Sequence, residues 1–120
     1  MSQDSLRQLA DETGGFYVTP TVFDDVSPQM RIAQEEIFGP VLSIIRFQDE
    51  AEAIEIANGT PYGLQATLWS GQIDRALRVA RALQAGTVHV NQFDDDDITV
   101  PFGGVKQSGH GRDKSLHALD

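Results

Sequence analysis

Apolar positions recur along the chain in two rhythms. Val41–Phe47 places five apolar residues in seven without clean alternation, the look of a strand covered on both faces. Leu64–Trp69 and Thr87–Val90 repeat that look. Between them the period lengthens. Asp49 followed by Glu52 is a capping-box pair, and Ala53, Ile54 and Ala57 give the buried face of a helix that Asn58-Gly59 stops and Pro61 keeps stopped. In Gln72–Ala85, Ile73, Ala76, Leu77, Ala80 and Leu83 share one helical face while Arg75, Arg78 and Arg81 keep to others, and Gly86 closes the segment. Strand, helix, strand, helix, strand with short connections predicts an α/β fold, a parallel βαβαβ layer with right-handed crossovers.

The flanks are less regular. Leu6, Leu9 and Ala10 allow two helical turns in a polar segment, residues 1–13, which Gly14-Gly15 ends. Phe16–Thr19 reads as a strand, Pro20 interrupts it, and Thr21–Phe23 resumes it, as at a sheet edge. Asp24–Pro28 is a turn, Met30–Gln34 a helical turn, and Asp113–Leu119 the start of a helix. Trp69 and Phe47 are expected in the core.

Totals narrow the classes. A chain of 120 residues with 40% hydrophobic and 22% charged residues is globular rather than disordered. A net charge of −9 disfavours nucleic acid and anionic membranes as partners. No apolar run approaches a membrane span, and residues 1–13 lack the apolar centre of a secretory signal, so a cytoplasmic location is expected. The absence of cysteine removes disulfides, thiolate metal sites and cysteine nucleophiles from these residues. His89, His110 and His117 show no ligand spacing, and no metal site is expected.

The stretch with candidate chemistry is Glu35-Glu36-Ile37-Phe38-Gly39-Pro40-Val41. A carboxylate and an aromatic ring are presented at a turn that drops into a strand. Carboxylate oxygens suit paired hydroxyls, and a ring suits a flat heterocycle. A solvated glutamate pair before a core phenylalanine would look the same. Asp94–Asp97 fits either a solvated loop tip or an acidic mouth that draws an ammonium group.

Four runs then occur in order: EEIFGPV, AxxIANGTPYGLQATLWS, AGTVHVN and PFGGVKQSGHGRD. Together they resemble the C-terminal part of the aldehyde dehydrogenase superfamily, over residues 14–119. The ending TVPFGGVKQSGHGRDKSLHAL looks most like the branch acting on γ-glutamyl-γ-aminobutyraldehyde and related aminoaldehydes. The resemblance implies that residues 14–120 are a partial catalytic domain of an NAD- or NADP-dependent enzyme that oxidises an aldehyde to a carboxylic acid. It implies that Glu36 accepts hydrogen bonds from the nicotinamide ribose hydroxyls and Phe38 packs at the nicotinamide. Asn91, Phe93 and Phe102 would border the substrate tunnel, and Arg112 would pair with acidic groups near a subunit interface of a homo-oligomer. The family's cysteine nucleophile, oxyanion-hole asparagine and glutamate base match no residue here, so the chain reads as a fragment, inactive alone and without a catalytic residue. The alternative is a non-catalytic ligand-binding or interaction module derived from that fold.

Overall fold

The computed structural model describes residues 19–93 and 97–119, so the expected helix at Leu6–Ala10, most of the strand beginning at Phe16, and Asp94–Asp96 lie outside the described residues. The chain divides after Arg46 into two compact units.

The first unit is built on one parallel strand pair. β1 (Thr21–Phe23) runs beside β2 (Val41–Ser43) with Thr21 opposite Val41 and Phe23 opposite Ser43. Pro20 sits just before β1, where its missing N–H removes no bond between these strands. The ladder continues past both strand ends, with Thr21 N–H donating to Pro40 O at 3.0 Å and Ile44 N–H to Phe23 O at 2.8 Å. The connection carries α1 (Arg31–Gln34), a single turn. Arg46 closes the unit by gripping Asp24 at 2.8 Å and Asp25 at 3.1 Å.

The second unit holds β4 (Gln65–Leu68) parallel to β5 (Thr87–Val90), joined through α3 (Ile73–Ala82). It also holds α2 (Glu50–Asn58) and a short antiparallel pair, β3 (Tyr62–Gly63) with β6 (Val105–Lys106). A 3-10 turn, Leu116–Leu119, stands where the sequence predicts a helix start. Asp49 caps α2 as expected, its carboxylate accepting from Glu52 N–H at 2.9 Å. The Glu52 carboxylate reaches one residue further back than in a standard box, accepting from Gln48 N–H at 2.6 Å.

Asn58 does more than stop α2. Its amide donates to Ala82 O at 2.9 Å and accepts from Gln84 N–H at 2.7 Å. It thereby takes the carbonyl that would continue α3, which is why that helix ends at Ala82 rather than at Ala85. The Lys106 ammonium sits on the same end of α2, on the carbonyls of Asn58 at 2.8 Å and Thr60 at 3.1 Å, where the helix dipole favours a cation.

Two expectations change. Val41–Phe47 is extended, but its strand pairs with Thr21–Phe23 and not with Leu64–Trp69, so the described ladders are separate pairs and not one βαβαβ sheet. A continuous apolar run specifies a covered strand, not which strand lies beside it. Trp69 and Phe47 are not core: they are 69% and 61% exposed. Trp69 follows the last paired residue of β4, and no described segment folds over it. Only Val26 and Ala76 are buried apolar residues among those described, and broad apolar surface stays open on both units. No helix among the described residues is long and apolar enough to cross a membrane.

Candidate functional site

The Glu35–Val41 turn presents its residues very differently. Gly39 N–H donates to Ile37 O and Val41 N–H to Gly39 O, both at 2.8 Å, so two tight turns in succession lift Phe38 to the tip. The Phe38 ring is 100% exposed and open on both faces. The two glutamates then part company. Glu35 follows α1 four residues after Arg31, and its carboxylate takes a two-pronged bond from that guanidinium, Nε to Oε1 at 2.9 Å and Nη2 to Oε2 at 2.8 Å. That bond holds the Glu35 carboxyl below its ordinary range. Glu36 points elsewhere, exposed, and has neither hydrogen bond nor ion pair among the described residues. The acidic pair of the sequence is therefore one structural carboxylate and one open acceptor. This fits the nicotinamide ribose: an unspent carboxylate for two hydroxyls, and a bare ring two residues on.

The second place lies wholly in the second unit. A groove of about 580 Å³ runs along β5 and is walled by Val88, His89, Asp97, Val100, Phe102 and Lys114, among others. Phe102 is fixed there because it and Asp113 exchange both backbone hydrogen bonds, at 2.8 and 2.7 Å. Asn91 does not line the groove. It adopts a left-handed backbone, φ 57°, and clamps Ser70, accepting from its N–H at 2.7 Å and donating to its carbonyl at 2.9 Å. Phe93 is 82% exposed and stands outside the groove. Of the three expected tunnel residues, the structure brings only Phe102 to a cavity wall.

Arg112 also departs from expectation. Its partners among the described residues are carbonyls, Gly104 O at 2.7 Å and Gly111 O at 2.9 Å, so it braces the glycine-rich loop instead of pairing with a carboxylate. Lys114 was not legible as a groove residue. It lies twelve residues beyond Phe102, across glycines with no periodic pattern, and only the Phe102–Asp113 bridge brings it back. No group of three His, Asp or Glu side chains among the described residues is placed to hold a metal ion.

Asp97 is the described member of the acidic run. Thr99 donates to its Oδ1 through both its N–H, at 2.8 Å, and its hydroxyl, at 2.7 Å. Chiefly the N–H bond, then the hydroxyl bond, hold this carboxyl below the ordinary aspartate value; the Lys114 charge adds a smaller pull. A depressed acid stabilises its loop above the unfolded value and loses that contribution as pH falls through the folded one. In an NMR pH titration, the Thr99 amide should therefore hold its shift through the ordinary aspartate range and move only at lower pH. Titration at or above the ordinary value would show that the Thr99 bonds are absent in solution.

The family model for the aldehyde dehydrogenase family matches residues 3–120. The chain belongs to the aldehyde dehydrogenase family. It is 54% identical over 103 residues to the NADP/NAD-dependent aldehyde dehydrogenase PuuC of Escherichia coli K12, covering 86% of this chain and 21% of that protein. A solved mutant of the P. syringae indole-3-acetaldehyde dehydrogenase AldA, in complex with NAD+ and IAA, superposes with a TM-score of 0.86 at 64% identity, over 91% of this chain and 22% of that one. The γ-glutamyl-γ-aminobutyraldehyde dehydrogenase of Burkholderia cenocepacia J2315 gives 0.85 at 60% identity, over 92% and 22%. The chain thus spans about a fifth of the length of these aldehyde dehydrogenases. The mixed α/β architecture is that of the corresponding stretch of the family.

Proposed function

We propose that this chain forms the ribose-holding and substrate-bordering part of an NAD(P)+-dependent aldehyde dehydrogenase, working with a cysteine nucleophile from polypeptide outside these 120 residues. The observation that carries this is the division of labour between the two glutamates. Arg31 takes Glu35, while Glu36 keeps both carboxylate oxygens for the ribose hydroxyls, beside the bare ring of Phe38. The nicotinamide cofactor supplies the hydride acceptor for aldehyde oxidation. Glu36 fixes the sugar, Phe38 limits the travel of the attached ring, and neither forms a bond with the substrate. Positioning of this kind sets how often donor and acceptor meet in reacting geometry.

Phe102 borders the path of the aldehyde, and Phe93 extends that border outward. Asn91 serves the path indirectly, because its clamp on Ser70 sets where β4 and β5 end. The substrate is a small-molecule aldehyde, with nitrogen-bearing aldehydes in the class. The open apolar faces, Val22 and Leu42 on one unit and Trp69 and Ile73 on the other, are surface for further polypeptide of the same enzyme or of its oligomeric copies.

The test joins these residues to a family portion that carries the cysteine, here called the assembled enzyme. Aldehyde should then drive NAD+ or NADP+ reduction, followed by absorbance of the reduced cofactor, while the 120-residue chain alone gives none. Turnover by the chain alone, or none by the assembled enzyme, would sink this reading.

A further inference from the structure

Lys114 occupies the groove in a fixed way. Its ammonium stands 5.6 Å from the centroid of the Phe102 ring, within cation–π range. The backbone that delivers it is pinned on both sides. Phe102 and Asp113 exchange two hydrogen bonds before it, and Ser115 N–H donates to Ile98 O at 2.9 Å after it. Lys114 and Ser115 both take left-handed backbone, φ 60° and 57°, a conformation that non-glycine residues hold only where their surroundings impose it.

The other charged or titratable groups on the groove wall are Asp97 and His89. One Asp97 oxygen already receives both bonds from Thr99. The aromatic face that would attract a substrate cation thus already carries one.

We propose that Lys114 is a specificity-determining residue of this groove: its ammonium over Phe102 favours aldehydes whose distal end is neutral or carries a carboxylate, and rejects those ending in a free ammonium. The inference rests on the reading above that Phe102 borders the aldehyde's path. A second cation brought to this wall is repelled at a few ångströms in a partly desolvated setting, an effect on the order of tenfold in affinity. A nitrogen-bearing aldehyde passes the filter when its nitrogen is a neutral amide.

The test compares three aldehydes of similar length in the assembled enzyme: butanal, succinic semialdehyde and 3-aminopropanal. The unaltered enzyme should turn over 3-aminopropanal with the lowest kcat/KM. Lys114→Met should lower kcat/KM for succinic semialdehyde about tenfold, through KM, and raise it for 3-aminopropanal by a similar factor, with butanal within about twofold. Lys114→Arg should keep the original order. Parallel movement of all three aldehydes in the methionine variant would overturn the proposal. A second arm needs no turnover. Glutarate added to the 120-residue chain should shift the NMR amides of Phe102 and Asp113–Ser115; Lys114→Met should abolish the shifts, and 1,5-diaminopentane should not produce them. Lysine-dependent glutarate shifts with no turnover of any aldehyde would sink the enzymatic reading and leave the anion selectivity standing. No shifts in this arm would overturn the selectivity.

Discussion

Glu36→Gln in the assembled enzyme should lower kcat about ten- to a hundredfold while leaving the melting temperature within about a degree. The kinetic loss follows from the chemistry of the acceptor. A carboxylate takes two charge-assisted bonds from a ribose; glutamine offers one neutral acceptor and turns an amide donor toward hydroxyls. Each charge-assisted bond contributes about 1.5–3 kcal/mol, so losing one and weakening the other spans that range of rate. The thermal silence follows from the structure. Glu36 is exposed and has no partner among the described residues, so nothing in the fold depends on its charge. Glu35→Gln is the matched control. It gives up an exposed i,i+4 pair, about 0.3–0.5 kcal/mol of stability, with no change in kcat. Equal kinetic effects at the two positions would refute the assignment. So would a Glu36→Gln enzyme that melts early and whose folded fraction has unaltered kinetics.

The largest effect on stability is expected at Gly86, which opens β5. A β-carbon there would be driven into the Gly103 carbonyl oxygen, with the carbonyl carbon at 2.7 Å and Gly104 Cα at 3.2 Å. All three atoms are backbone, in a loop that the Arg112 guanidinium and the Phe102–Asp113 bridge hold in place. The clash has no flexible side chain to absorb it. Gly86→Ala should cost about 3 kcal/mol or more, enough to deplete the folded state of a marginally stable protein. Gly71→Ala is the comparison, because nothing lies within 4 Å of the added carbon there and the backbone is ordinary. Denaturant unfolding of both variants reads the difference. Equal midpoints would show that the glycine-rich loop does not press on β5 in solution.

Legibility in the sequence followed the range of the forces involved. The cap at Asp49 and the helices at Glu50–Asn58 and Ile73–Ala82 were readable because capping and period-3.6 patterns are local. The strand partners were not. The run after Pro40 is equally apolar whichever strand lies beside it, and the choice of Thr21–Phe23 is a long-range event. Trp69 and Phe47 were misplaced for a related reason: large apolar side chains are bought into a core only by something that covers them, and periodicity does not say what does. At the candidate site, the turn and its ring were plain from Gly39-Pro40. Which glutamate is spent depends on a guanidinium four residues upstream, a spacing present in the sequence but weighed only once the helical turn is seen. Asn91, read as a tunnel residue, lies instead on a bridge to Ser70, whose 21-residue separation leaves no trace in a local pattern.

The Arg31–Glu35 pair also bears on how a cofactor arrives. A dinucleotide diphosphate is an anion, and it approaches a chain of net charge −9. Two bare carboxylates at the turn would make that tip a locally repulsive patch, slowing encounter most at low ionic strength. By cancelling Glu35, Arg31 leaves a single negative charge beside the exposed ring. The same contact that frees Glu36 for the sugar thus lowers the electrostatic barrier that the incoming phosphates meet.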